Sequence, residues 1–122
     1  MAGKLVLVVD DSPLLRRLIT QVLHQEGYRV EVAADGEEAL EKIRQLEPDI
    51  VLLDVVMPNK DGYQVAREIR EQLAPERQPR VILLTGVDGG KTRHQARQLG
   101  VDDVLAKPFS PVELTARVRA VS

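Results

Sequence analysis

Five residues of this 122-residue chain are of types that can handle a phosphoryl group together, and each follows a short apolar run. Asp10 and Asp11 come after Leu5-Val6-Leu7-Val8-Val9, Asp54 after Ile50-Val51-Leu52-Leu53, and Thr85 after Val81-Ile82-Leu83-Leu84. Lys107 comes after Val104-Leu105-Ala106 and stands before Pro108. If these runs are strands of one sheet, three carboxylates, a hydroxyl and an ammonium converge on one rim. Two unit charges ~4 Å apart at an effective dielectric of ~20 interact by ~4 kcal/mol, so three clustered acids need counter-charge. One lysine offsets part of it, and a hard divalent cation with oxygen ligands offsets the rest; Mg²⁺ suits one or two carboxylates plus waters. A carboxylate in such a setting can act as a nucleophile and form an acyl phosphate. Metal and ammonium neutralise the transferred oxygens, and the Thr85 hydroxyl can bond one of them. Taken singly, each residue has an ordinary reading: Asp10 or Asp11 caps a helix, Asp54 is a loop acid, Thr85 is a strand-end hydroxyl, and Lys107 is a solvated charge. All five standing at strand ends is what favours chemistry.

The elements that must position them alternate between two periods. The continuous apolar runs suit strands buried on both faces of a parallel sheet. Arg29-Val30-Glu31-Val32-Ala33 alternates and reads as an edge strand; Val104-Leu105-Ala106 is short and reads as the other edge. Helical stripes lie between them. Leu14, Leu15, Leu18, Ile19, Val22 and Leu23 form the first, opened by Ser12-Pro13 and closed by Gly27. Ala39, Leu40, Ile43 and Leu46 form the second, and Val65, Ala66, Ile69 and Leu73 the third. Lys91 to Leu99 is a more polar fourth helix, with Ala96 and Leu99 on its apolar side. Ser110-Pro111-Val112-Glu113 has the pattern of a capping box, after which Leu114, Val118 and Val121 face inward. Five strand-helix repeats with right-handed crossovers and edges at the second and fifth strands give an α/β fold. Its doubly wound, five-stranded parallel sheet has the flavodoxin-like order 2-1-3-4-5, with ligands expected outside the carboxyl ends of the strands. Residues 1–122 read as a single domain.

Composition excludes several classes. Lys plus Arg is 17 and Asp plus Glu 19, a formal net charge of −2, which argues against nucleic-acid binding through bulk charge. Aromatics are only 2% (Tyr28, Tyr63 and Phe109), too few for base-stacking surfaces. With no cysteine, disulfides and zinc-thiolate sites are impossible. No apolar run approaches the ~20 residues of a membrane helix, and the start of the chain lacks a signal-peptide pattern, so a cytoplasmic location is expected. His24 and His94 read as surface residues.

With these residues in view, the chain resembles the receiver domain of two-component response regulators, the CheY-like family, from Lys4 to its end. The matching motifs are Val8-Val9-Asp10-Asp11-Ser12, Ala34-Asp35-Gly36-Glu37-Glu38-Ala39-Leu40, Pro48-Asp49-Ile50-Val51-Leu52-Leu53-Asp54, Met57-Pro58-Asn59-Lys60-Asp61-Gly62-Tyr63, Leu84-Thr85-Gly86 and Lys107-Pro108-Phe109. The resemblance implies Asp54 as phosphoacceptor and Asp10 and Asp11 as the acid pair holding Mg²⁺, with Asp54 and the Val56 backbone carbonyl as further ligands. It implies Thr85 as the switch hydroxyl, Lys107 as the phosphate-pairing ammonium, a cis Lys107–Pro108 peptide, and a small Gly86 that admits the phosphoryl group. The donor would be a phosphohistidine of a sensor kinase, and the recipient of the signal an output domain or protein. The protein would catalyse its own phosphorylation and dephosphorylation and act on no external substrate. Phosphate would shift a two-state equilibrium felt at the face of the fourth helix, fifth strand and last helix.

Three features qualify that resemblance. Val104 stands where the family often has an aromatic switch residue. Val56 and Val87 flank the expected path of the attacking water and cannot orient it, which predicts a long-lived phosphoaspartate. Val101-Asp102-Asp103 and Arg117 resemble the OmpR-like receivers, whose acids on the fifth strand and basic residues on the last helix form a parallel homodimer; a solvated charged face is the equal alternative.

Rival functions fit less well. Gly86-Val87-Asp88-Gly89-Gly90-Lys91-Thr92 has three residues between its first Gly and Gly-Lys, where a phosphate-binding loop needs four, and it follows the fourth run instead of the first. A phosphatase with an aspartyl nucleophile wants an acid two residues on, where Val56 stands. A flavodoxin-like cofactor binder would need a phosphate loop or aromatic ring partners.

Overall fold

The computed structural model describes residues 3–86 and 89–122, with 89–91 described in backbone alone. The elements run β1 (Leu5–Val9), α1 (Pro13–Gln25), β2 (Arg29–Ala33), α2 (Gly36–Leu46), β3 (Ile50–Asp54), α3 (Gly62–Gln72), β4 (Arg80–Thr85), α4 (Gly89–Leu99), β5 (Asp103–Ala106) and α5 (Pro111–Val121). The five strands are all parallel, in the order β2-β1-β3-β4-β5 that the edge patterns predict. A 3₁₀ turn at Pro75–Arg77 shapes the connection into β4.

Strand alternation divides the core into two layers. Leu7, Val9, Val51, Leu53, Val81 and Leu83 face α2, α3 and α4, while Val6, Val8, Ile50, Leu52, Ile82, Leu84 and Leu105 face α1 and α5. Burying both faces is why these strands read as unbroken apolar runs.

Register brings the chemistry to one rim. Val9 pairs with Leu53, so Asp10 and Asp54 end neighbouring strands. Asp54 pairs with Leu84, one residue before Thr85, and Thr85 pairs with Ala106, one residue before Lys107.

Helix starts follow side-chain chemistry. Ser12, Asp35, Asp61 and Ser110 each accept a backbone N–H of the first turn. Ser12, and neither Asp10 nor Asp11, is thus the cap of α1. The reciprocal capping box expected at Ser110 is only half formed; the complete one is at Asp61, where Gln64 returns the bond. The α1 stripe is also narrower than its sequence suggests. Ile19 and Leu23 are buried, Leu15 and Val22 pack at the edge of the core, and Leu14 is 67% exposed with Leu18 beside it in solvent. Six apolar residues spread over more of the helix circumference than one sheet face can cover. Leu46, expected on the inner side of α2, is exposed at that helix's last turn. Among the described residues no helix is long and apolar enough to cross a membrane.

Candidate functional site

Asp10 leaves β1 fully buried, at 0% exposure. Its charge is matched on both oxygens: Oδ1 accepts the Ser12 N–H at 2.8 Å and Oδ2 accepts Lys107 Nζ at 2.9 Å. Arg16 donates to the Asp10 carbonyl at 2.8 Å, tying the first turn of α1 to the same corner. Asp54 closes β3 at 7% exposure, with Oδ1 accepting the Val56 N–H at 3.2 Å and Oδ2 lying 3.2 Å from Lys107 Nζ. Lys107 therefore bridges two acids on different strands. Its own backbone N–H donates to the Thr85 carbonyl at 2.7 Å, and its peptide bond to Pro108 is cis. Asp11 is exposed beside this pair, and carboxylate oxygens of Asp10, Asp11 and Asp54 all lie within 4.8 Å of one another.

The electrostatics follow from that crowding. Burial, then the negative charge of Asp10, push the Asp54 carboxyl above its ordinary pKa; Lys107 and the Val56 N–H pull the other way and lose. Burial acts against the Lys107 ammonium, but its hydrogen bond to Asp10 and the charges of Asp54 and Asp10 outweigh it and hold Lys107 above its ordinary value. A three-acid cluster opposed by one lysine keeps spare acceptor capacity, since each carboxylate oxygen has two lone-pair sites. An all-oxygen donor set of this kind fits a hard divalent cation.

Glycine allows the approach beneath Asp54. A Cβ on Gly62 would lie 2.4 Å from the Asp54 carbonyl oxygen and 2.9 Å from Val55 Cα, so no larger residue fits without moving the backbone. The Gly62 N–H donates to the Val55 carbonyl at 2.9 Å, fixing the start of α3 against the end of β3.

Thr85, 4% exposed at the end of β4, points its hydroxyl at Thr92 of α4, 3.0 Å away. The Tyr63 hydroxyl lies 2.9 Å from the same Thr92 oxygen.

A family model described as the response regulator receiver domain matches residues 6–119. The chain belongs to that family. It is 45% identical over 116 residues to a probable transcriptional regulator, ycf27, of Guillardia theta, covering 95% of this chain and 44% of that protein. It is 40% identical over 121 residues to the alkaline phosphatase synthesis transcriptional regulatory protein PhoP of Bacillus subtilis, covering 98% and 48%. The chain thus spans about half the length of these curated relatives. The chemotaxis protein CheY4 of Vibrio cholerae superposes with a TM-score of 0.91 at 32% identity, covering 99% of this chain and all of that one.

This receiver domain of two-component signalling places its other notable residues around that site and along β5 and α5. The Val56 side chain is 76% exposed, and only its amide meets Asp54. Val87 lies outside the described residues, as does Asp88 of the phosphate-loop look-alike. Gly86 is exposed, and a Cβ there would meet nothing within 4 Å. Val104 is buried in β5 next to Leu83. The acids and base of the expected dimer face are paired inside the chain: Arg117 donates to Asp103 at 2.9 and 3.1 Å, and Asp102 binds Arg80 at 3.2 Å and the Val81 N–H at 2.8 Å. His24 and His94 are exposed. Sequence reasoning missed the role of Thr92 and Tyr63. The one available signal was that Thr92 shares the inward helical side of Ala96 and Leu99, at i+4 and i+7.

Proposed function

We propose that this receiver domain, comprising residues 1–122, takes a phosphoryl group from a phosphohistidine of a sensor kinase onto Asp54. The observation that carries this reading is the Lys107 ammonium set between Asp10 and Asp54, at 2.9 and 3.2 Å, beside the exposed Asp11. An Asp54 carboxylate oxygen attacks phosphorus; a P–O bond forms, the P–N bond breaks, and its electron pair stays on the imidazole nitrogen, which takes up a proton. Asp10, Asp11 and Asp54, with the Val56 carbonyl, are the groups to hold Mg²⁺, which when bound neutralises charge on the transferred oxygens. Lys107 is already aimed at Asp54 and pairs with an oxygen of the arriving group. The Thr85 hydroxyl donates to another.

The protein catalyses only this self-modification and its reversal, in the cytoplasm, and passes the result to an output domain or protein. Curated relatives named as transcriptional regulators, of which this chain matches about half, favour an output of that kind. A homodimer through α4, β5 and α5 is a further element of the reading.

Incubation with acetyl phosphate and Mg²⁺ followed by intact mass tests it. The native chain gains one phosphoryl group, while Asp54→Asn and metal-free samples gain none; equal labelling of Asp54→Asn overturns the assignment.

A further inference from the structure

Behind Thr85 the core turns polar. Thr85 and Thr92 are both 4% exposed and their hydroxyls meet, and Tyr63, the second residue of α3, closes a chain of three hydroxyls. A hydroxyl gives one proton and can accept at two lone pairs. Three hydroxyls joined by two bonds therefore leave one proton spare at one end. If the chain runs from Thr85 outward, the spare proton is on half-buried Tyr63, where water can take it. If it runs inward, the spare proton is on Thr85 at the rim. With Thr92 taken as the acceptor of the Thr85 hydroxyl, the resting direction runs Thr85 to Thr92 to Tyr63. A phosphoryl group on Asp54 offers only acceptor oxygens. It takes the Thr85 proton; Thr92 turns its own proton from Tyr63 to Thr85, and Tyr63 changes from acceptor to donor. On the neighbouring strand β5, Val104 in the same layer offers no polar group to take part.

We propose that Thr92 is the positioning residue for Thr85, and that the buried Tyr63–Thr92–Thr85 chain reverses direction on phosphorylation, carrying the state of Asp54 to α4 and to the start of α3. The proposal rests on the reading of Asp54 as phosphoacceptor. It gives α4 a reason to respond, since in its described part that helix buries only Thr92 and Ala96, and a side-chain oxygen of Gln95 is buried without a partner. Coupling through a hydroxyl chain also suits a receiver whose fifth strand carries valine at position 104.

Tyr28 and Tyr63 are the only tyrosines, and Tyr28 bonds Ser122. A Tyr28→Phe chain with ring-labelled tyrosine therefore reports Tyr63 alone by carbon NMR, whose hydroxyl-bearing carbon senses donation against acceptance. Acetyl phosphate with Mg²⁺ is added until intact mass shows full phosphoryl gain. The Tyr63 signal shifts in the parent, stays in place in an equally loaded Thr92→Val chain, and shifts again in Thr92→Ser. An unmoved Tyr63 signal in the fully loaded parent overturns the relay and leaves the phosphoacceptor reading intact. A full shift in loaded Thr92→Val overturns it as well. Absence of any mass gain in the parent falls instead on the assignment of Asp54.

Discussion

Asp54 is ionised at a cost to the fold. Its carboxyl is held above the ordinary value of 3.8 by burial and by Asp10. A group that binds its proton more tightly when folded loses stability on ionising, so this penalty grows as pH rises from the ordinary carboxylate range and is complete above the raised pKa. Lys107 has the opposite sign: its contribution is present below 10.5 and is lost as pH rises through its raised folded value. Asp54→Asn in chelator at neutral pH is therefore expected to raise Tm. The gain should vanish below pH 3.8, where the wild-type carboxyl is protonated in both states. A neutral-pH Tm equal to or below wild type defeats this electrostatic account. A second prediction concerns the lifetime of the modified state: polar or acidic residues at both Val56 and Val87 should speed loss of the phosphoryl group about tenfold, ~1.4 kcal/mol in barrier. An unchanged rate means that orienting water there is irrelevant. The charged residues of the site were legible because acids and a lysine at the ends of apolar strands are costly and so conspicuous. Thr92 was not, because a threonine inside a polar helical stretch looks like any solvated residue until the partner hydroxyls are placed around it.

At the scale of elements, the junction between β3 and α3 carries the sharpest steric demand. Gly62→Ala puts a Cβ 2.4 Å from the Asp54 carbonyl oxygen, which forces the backbone bearing Asp54 to move. Urea unfolding should show a loss of about 1–3 kcal/mol, and phosphoryl gain should slow. Gly86→Ala is the control, since its Cβ has open space, and it should leave the urea midpoint near wild type. A Gly62→Ala protein as stable as the Gly86→Ala one and as readily phosphorylated as wild type would contradict the close approach. Strands were legible here with almost no ambiguity, because a sheet covered on both faces demands continuous apolar residues. Helices were less so. Leu14 and Leu18 belong to the α1 pattern without belonging to the core, and the reciprocal cap is complete at Asp61–Gln64 and half formed at Ser110.

For the whole molecule, the open quantity is how phosphorylation changes association. Moving a two-state equilibrium from 1:99 to 99:1 takes ~5.5 kcal/mol of differential stabilisation. On the proposed reading, new bonds from Thr85 and Lys107 would supply part of that, and burial between two copies through α4, β5 and α5 would supply more. On that face Arg117 is already matched to Asp103, and Arg80 to Asp102. Pairing of these four groups across a dimer would exchange partners without adding ion pairs, and each exposed exchange is worth at most ~1 kcal/mol. Micromolar association needs ~8 kcal/mol, so apolar contact has to dominate. Sedimentation is expected to show monomer in Mg²⁺ alone and dimer once beryllium fluoride is added. The dimer should survive a change from about 0.05 to 0.5 M salt, since screening acts equally on pairs within and between copies. A monomer under both conditions rules out the dimer, and a dimer that dissolves with salt shows new ion pairs to be its main support, with Arg117 left to serve a partner copy instead of its own Asp103.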